Sequence, residues 1–430
     1  MASTLTSEQR AWRWRIFLLT WLAYAGFYLC RKNFSVAMPL LQRDLGYSEF
    51  DFAAIITAYS VLYMLGQFVN GMLSDKLGPR LIVGVGLLVS VACSVAMGFA
   101  SMLAVFAVAY AVNGYAQSTG WSGTVKNMSS WFQHHERGIV MGWWCTCYVV
   151  GGLVSTIFAT YVAFDSPWFV EFGWRRAFFA PAAVLLLVSL VYILFTRNKP
   201  SDVGLPEFPE DDAVGPEVEI RDEAGRESVL KEVLASPALW IAGGSYFFLK
   251  MARYVFLFWL PLYMTNALLY DESVAGYTSA VYEFVGFFGV IIAGYVSDKL
   301  FNSRRFPVCT IMLFALAAVC LVHPHLAALG FWGNMLGIGL IGMLTFGPDS
   351  ILSGAAAQDI GSQRGAATAA GIINGMGSIG QALHGYVVAI MVHQFGWDSI
   401  FYLFVAFGII TGFLTMTKWN YGARPVARAG

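Results

Sequence analysis

Five basic residues stand in or at the edge of long apolar runs of this 430-residue chain: Arg31, Lys32, Lys126, Lys250 and Arg253. Each costs at least ~2.5 kcal/mol at the centre of a membrane helix, so it must snorkel, pair, or line a wet cavity. Snorkelling is as open to Lys32 and Lys126 as binding is. It does not suit Arg31 and Arg253, which lie well inside their runs. Guanidinium groups present planar forks of N–H donors that match phosphate or carboxylate oxygens, and they stay charged at any working pH. Tyr24 and Tyr28 precede Arg31 by seven and three residues, on its helical face, and Tyr246 precedes Arg253 by seven. Their hydroxyls could share the remaining oxygens of a small anion, although core packing explains a lone tyrosine as readily. Acids are fewer. Glu283 and Asp349 also fall within apolar runs; Lys250 is one plausible partner for Glu283, and either acid could instead carry protons. His384 is expected to pack, or to bond a neighbouring carbonyl.

Such residues need elements that hold them in lipid. Hydrophobic residues make up 58% of the chain and charged residues 12%, about half the usual soluble share of roughly 25%. Mean hydropathy is +0.63. Formal net charge is zero, which leaves no electrostatic footprint for nucleic acid. The six cysteines include no CxxC pair and read as small core residues, so neither a disulfide framework nor a metal site is expected. A membrane helix needs about 20 mostly apolar residues. Twelve segments qualify: 14–39, 52–73, 80–100, 103–125, 138–162, 175–196, 238–264, 276–297, 306–324, 327–351, 365–391 and 397–418. The continuous runs lack the ten-residue alternation of a membrane β-barrel. The first run is long, so it reads as a retained span and not a cleaved signal. The expectation is an all-α membrane protein with 12 transmembrane helices.

Basic residues set the orientation. With the N-terminus in the cytoplasm, cytoplasmic segments hold 18 lysines and arginines and outer segments hold three, Arg43, Arg175 and Arg176. Both termini are therefore expected inside. Residues 197–232 carry 11 acids and four prolines and read as a cytoplasmic linker. The two sides of it repeat. GMLSDKL at 71–77 returns as GYVSDKL at 294–300, and Gly173-Trp174 returns as Gly396-Trp397, both at an offset of 223. Tyr24, Arg31, Phe34 and Pro39 match Tyr246, Arg253, Phe256 and Pro261 at an offset of 222. Two pseudo-symmetric six-helix bundles constitute the major facilitator fold, with its site near the midplane. The expected division is 1–199, a linker at 200–232, and 233–430. Symmetry would bring Arg31 and Arg253 to the centre, where bare guanidiniums ~10 Å apart repel by roughly 1.5–2 kcal/mol at an effective dielectric near 20.

The loop GMLSDKLGPR (71–80) and its recurrence suggest paired cytoplasmic gates built from Asp75, Arg80, Asp298 and Lys299. Asp75 can accept bonds at a helix N-terminus and Arg80 can pair across a closing seam. Gly71 and Gly78 would permit close approach and a tight turn. Gly333/Gly337 and Gly371/Gly375 have the spacing of packing seams. No GxxxxGK[ST], HExxH or GxSxG is present, so neither ATP hydrolysis nor an intramembrane hydrolase is expected, and energy must come from a solute gradient.

FYLCRKNFSVAMP (27–39) resembles the first helix of the organophosphate:phosphate antiporters, a family that includes the glycerol-3-phosphate and hexose-6-phosphate exchangers. NGYAQSTGW (113–121), TRNKPSDVGLP (196–206), LASPALW (234–240), ARYVFLFWLPLY (252–263), VYEFVG (281–286) and GPDSILSGAAAQDIG (347–361) extend the likeness over nearly the whole chain. WLPLY, GPDSILS and GSIGQAL (377–383) look closest to the sugar-phosphate branch. The resemblance implies that Arg31 and Arg253 clasp phosphate, with Lys32 beside them. Lys250 resembles a lysine that some sugar-phosphate exchangers carry, and Trp121 and Lys126 join the candidate binding residues. Bacterial glycerol-phosphate carriers have a histidine near the phosphate; WWCTCYVVGG offers Cys147 and Tyr148 there instead. The implied activity is exchange of an organophosphate for inorganic phosphate by alternating access, by a monomer without cofactor; the short loops suggest a bacterial inner membrane. The rivals are a proton-coupled organic-anion carrier using Glu283 or Asp349, and a hexose-phosphate sensor that does not transport.

Overall fold

The computed structural model describes residues 5–132, 140–141, 143–206 and 231–421, and all regular structure among them is helical. Most of the expected linker, the basic residues Arg137, Arg221, Arg226, Arg424 and Arg428, and the side chains of Asp75 and Arg364 lie outside the described residues. The main helices are α1 (Ser7–Phe27), α2 (Leu29–Leu45), α3 (Glu49–Leu77), α4 (Pro79–Phe99), α5 (Leu103–Trp131), α6 (Thr146–Thr160), α7 (Arg176–Phe195), α8 (Pro237–Asn266), α9 (Glu272–Ser279), α10 (Val281–Lys299), α11 (Arg305–Ala328), α12 (Phe331–Ser350), α13 (Ala356–Phe395) and α14 (Asp398–Met416). Local chemistry sets their ends. Thr6 with Gln9 and Ser48 with Asp51 form capping boxes, each of which satisfies two N–H groups at the starts of α1 and α3. Gly46 adopts the left-handed conformation after α2, and Gly78 turns at φ 85° before Pro79 opens α4.

Ten stretches among the described residues are long and apolar enough to cross a membrane. The two expected spans that fall short of that criterion, 14–39 and 103–125, are helical and carry the most polar interiors. The first is broken at Tyr28 into α1 and α2 and holds buried Arg31, Lys32 and Asn33. The second, α5, buries Asn113, Gln117, Ser118 and Thr119.

The chain divides into two compact units, Met1–Gly215 with Phe258–Ala280, and Pro216–Leu257 with Val281–Gly430. In the first, α1, α2, α4 and α7 share a core of Ala23, Phe27, Leu29, Cys30, Val83, Leu87, Ala182 and Leu185. The segment Phe258–Ala280 is tied to this unit by four polar contacts. Ser35 donates to the Phe258 carbonyl at 2.7 Å, and Asn266 donates to Gln42 at 2.9 Å. Arg43 pairs with Glu272 at 2.6 Å, and Tyr277 donates to Asp165 at 2.5 Å. The Asp44 carboxylate, which accepts from the Arg43 Nε, and the nearby Glu272 charge hold that guanidinium above its ordinary pKa.

The sequence repeat recurs as packing inside each unit. In the first, Gly114 of α5 lies against the Tyr59 carbonyl and Gly66 of α3 lies against Ser118 and Tyr115. In the second, Gly342 of α12 lies against the Tyr282 carbonyl and Gly289 of α10 against the Met343 carbonyl. Tyr59 and Tyr282, like Gly66 and Gly289, are 223 residues apart. Gly173 and Gly396 both turn with positive φ before their tryptophans. Other glycines differ from expectation. Gly333 and Gly337 do meet neighbours, the Leu326 carbonyl and His323, but a Cβ on Gly71, Gly371 or Gly375 would face open space. Spacing alone does not say which helix face a glycine occupies. All six cysteines are free thiols, and only Cys145 is less than buried.

Candidate functional site

In the first unit the site is built on the break between α1 and α2. The Tyr28 N–H reaches back to Ala25 and Gly26, and Cys30 leaves helical geometry at φ −97°, ψ 15°. A kink of this kind persists when side chains satisfy the carbonyls it frees. Here α5 supplies them. Asn113 donates to the Cys30 carbonyl at 2.8 Å, Gln117 to the Phe27 carbonyl at 3.2 Å, and Tyr110 to the Arg31 carbonyl at 3.0 Å. Tyr110, Asn113 and Gln117 are spaced by three and four residues, so they form one stripe along α5. The same Gln117 holds the arginine: Arg31 Nε donates to its Oε1 at 2.7 Å, and Tyr59 donates to that oxygen at 3.0 Å. The guanidinium carbon sits 4.6 Å from the Tyr28 ring centroid and 5.3 Å from that of Tyr63. Such faces attract a cation through the ring quadrupole.

Tyr24 lies beside this arrangement. Its ring is 6.2 Å from Tyr28, 5.6 Å from Trp121 and 5.5 Å from Trp144. Tyr24, Tyr28, Trp121 and Arg31 are therefore neighbours. Lys32 is buried on α2, Cys147 is buried on α6, and Tyr148 beside it is half-buried. Lys126 is nine residues beyond Gln117 on α5 with its side chain exposed.

In the second unit Arg253 of α8 meets a carboxylate. Its Nη1 pairs with Asp349 Oδ2 at 2.6 Å, the side chains being 12% and 3% exposed. The guanidinium carbon lies 4.7 Å from the Phe346 ring centroid. Asp349 follows Pro348 near the end of α12, where the helix widens into a π-turn over Ile351–Ala355. Single π-turns often mark functional positions. The expectation of two bare, mutually repelling arginines is corrected here, since Arg253 carries its own counter-charge.

Lys250 donates to Ser378 of α13 at 3.1 Å and lies 5.6 Å from the Tyr246 ring centroid. Gly377 makes this possible, because a Cβ there would strike both Tyr246 and the Lys250 stem. Glu283 is buried on α10, and His384 bonds the Gln381 carbonyl through Nδ1.

The gate residues behave differently from one another. Arg80 donates from Nε to the Ile193 carbonyl at 2.7 Å, within its own unit. Asp298 accepts from Arg305 at 2.6 Å, and Arg305 also reaches Asp359 at 3.1 Å. Lys299 is exposed. Sequence reasoning did not single out Arg305, Asp359, Gln117, Asn113, Tyr110 or Tyr59. A stripe of amide and hydroxyl residues on an apolar helix was the available signal.

A buried arginine at a helix break in one unit, with its repeat equivalent in the other, has the look of a carrier. The family model of the Major Facilitator Superfamily matches residues 17–383 and 245–428. The chain belongs to the major facilitator superfamily. It is a membrane transporter with multiple spans, and its relatives include hexose phosphate and glycerol-3-phosphate transport proteins. It is 28% identical to the probable hexose phosphate transport protein of Chlamydia trachomatis, over 96% of this chain and 92% of that one. It is 29% identical to the glycerol-3-phosphate transporter of Bacillus subtilis, over 98% of this chain and 96% of that one. Among solved structures, a bacterial homologue of the human lysosomal transporter Spinster, inward-facing and unoccupied, superimposes with a TM-score of 0.81. It covers 95% of this chain and 97% of its own at 14% identity, a likeness of fold alone.

Proposed function

We propose that this major facilitator protein exchanges an organophosphate for inorganic phosphate by alternating access, through twelve spans with both termini in the cytoplasm. The carrying observation is Arg31, a permanent cation buried at a helix break and held by an amide oxygen and two tyrosine faces. The planar fork of guanidinium donors matches the oxygens of a tetrahedral oxyanion. Lys32, Tyr24, Tyr28 and Trp121 surround the anion on this side; Arg253, Lys250 and Tyr246 serve it from the other half. The relatives' names, for hexose phosphate and glycerol 3-phosphate transport, support a phosphorylated solute of that size.

The second half binds by exchange of partners. Arg253 is engaged by Asp349, so an incoming phosphate has to share or displace that carboxylate. Only a ligand that contributes more than the internal ion pair shifts the balance between states. This makes the loaded carrier the one that turns over.

The test is competition in liposomes loaded with phosphate. Glucose 6-phosphate and glycerol 3-phosphate should inhibit uptake of labelled phosphate, whereas a carboxylate such as citrate should not. Inhibition by citrate alone would support the organic-anion reading. Phosphate binding with no flux would support the sensor reading.

A further inference from the structure

The charged start of α1 borders a cavity that the anion site does not use. Arg10, Arg13, Trp14, Phe17, Phe132 and Trp143 line most of its volume of about 490 Å³, within the roughly 300–1,000 Å³ of small-molecule sites. Leu5 and Val140 complete the described lining.

Its position follows from helix periodicity. Residues four apart share a helix face, and Arg10, Trp14, Leu18 and Leu22 form such a row on α1. Trp14 is 66% exposed, Leu18 59% and Leu22 39%. In a membrane protein that row is what α1 shows to acyl chains. Arg10 stands one turn, about 6 Å, before Trp14, which is headgroup level. Trp143 on the other wall is 69% exposed, and tryptophan is enriched at this depth. Arg13 is turned inward, 6% exposed, with its guanidinium 4.6 Å from the Phe132 ring centroid.

We propose that this cavity is a binding site for one anionic phospholipid of the leaflet on the N-terminal side. Arg10 takes the phosphate, the buried Arg13 adds positive charge to the wall, and Trp14, Phe17, Phe132 and Trp143 take the glycerol and the first methylenes. Guanidinium forks match phosphate oxygens, and basic pockets between membrane helices recognise anionic headgroups. A soluble phosphate ester would leave the aromatic wall wet, so the apolar lining selects the lipid.

The full chain, stripped of lipid in detergent, can be offered phosphatidylglycerol or phosphatidylcholine and its retained lipid counted by native mass spectrometry. The wild type is expected to retain phosphatidylglycerol preferentially. Arg10→Gln, at an exposed position, should lower that retention about fivefold, as expected for one arginine near a headgroup. Trp143→Ala, also exposed, should lower retention of both lipids. Equal retention of the two lipids, or either variant behaving as wild type, would overturn the proposal. So would displacement of phosphatidylglycerol by soluble glycerol phosphate at the lipid's own concentration.

Discussion

Replacing Asp349 with asparagine separates two roles for that carboxylate, competitor for the substrate anion or scaffold for Arg253. The pair is 2.6 Å apart and nearly buried. At a charge separation of about 4 Å and an effective dielectric near 20, its attraction is about 4 kcal/mol. An anion approaching Arg253 works against that attraction; the asparagine side chain keeps the shape and removes the charge. If a third of it is released, phosphate binds about tenfold more tightly, since 1.4 kcal/mol is one decade. The empty variant should be less stable, because removing one partner of a buried pair typically costs about 3–5 kcal/mol. Phosphate should restore part of the loss. The assay is thermal stability of purified wild type and Asp349→Asn across a phosphate titration, with Arg253→Gln as the control. A larger phosphate-induced shift at lower concentration is the expected result. Weaker binding in Asp349→Asn, matching Arg253→Gln, would refute the competitor role and leave Asp349 as a scaffold.

Other outcomes follow from the same geometry. Gln117→Glu should place a carboxylate on Arg31 and weaken phosphate binding at neutral pH, whereas Gln117→Leu should cost about 1–3 kcal/mol of stability for each buried group it strands; binding and unfolding titrations distinguish them. Gly114→Val and Gly342→Val would each drive a side chain into a tyrosine backbone carbonyl that cannot yield, so expression of folded protein should collapse, while Gly71→Ala and Gly375→Ala should express as wild type. Arg43 is more than half exposed, so Glu272→Gln should lower stability by no more than about 1 kcal/mol. That small loss should vanish in high salt, as a melting series would show.

Much of the fold was legible because a repeated chain writes its packing twice. The offset of 223 between the two SDKL loops is the offset between Tyr59 and Tyr282 and between Gly66 and Gly289, whose close helix contacts the structure shows within each unit. The cations were legible because charge in an apolar run is costly and therefore conspicuous. Their partners were less so. Gln117 and Asn113 are neutral, cost far less to bury, and lie inside the stretch 113–121 that carries part of the family likeness. The break at Tyr28 has no proline to announce it; the bonds from α5 that sustain it come from residues 79–90 positions away. Asp349 stood out as an acid, but its pairing with Arg253 spans 96 positions, a distance that local patterning does not reach. Arg80 shows the same limit, since its bond to the Ile193 carbonyl spans 113 positions.

Obligate exchange centred on Arg31 is the core of this account, and trans-dependence of flux tests it most directly. Labelled phosphate uptake would be followed into liposomes with and without internal unlabelled phosphate, for the wild type and Arg31→Ala. Uptake by the wild type only when phosphate is inside, and none by Arg31→Ala under either condition, is the predicted result. Comparable uptake into empty liposomes, or undiminished exchange by a folded Arg31→Ala, would contradict it.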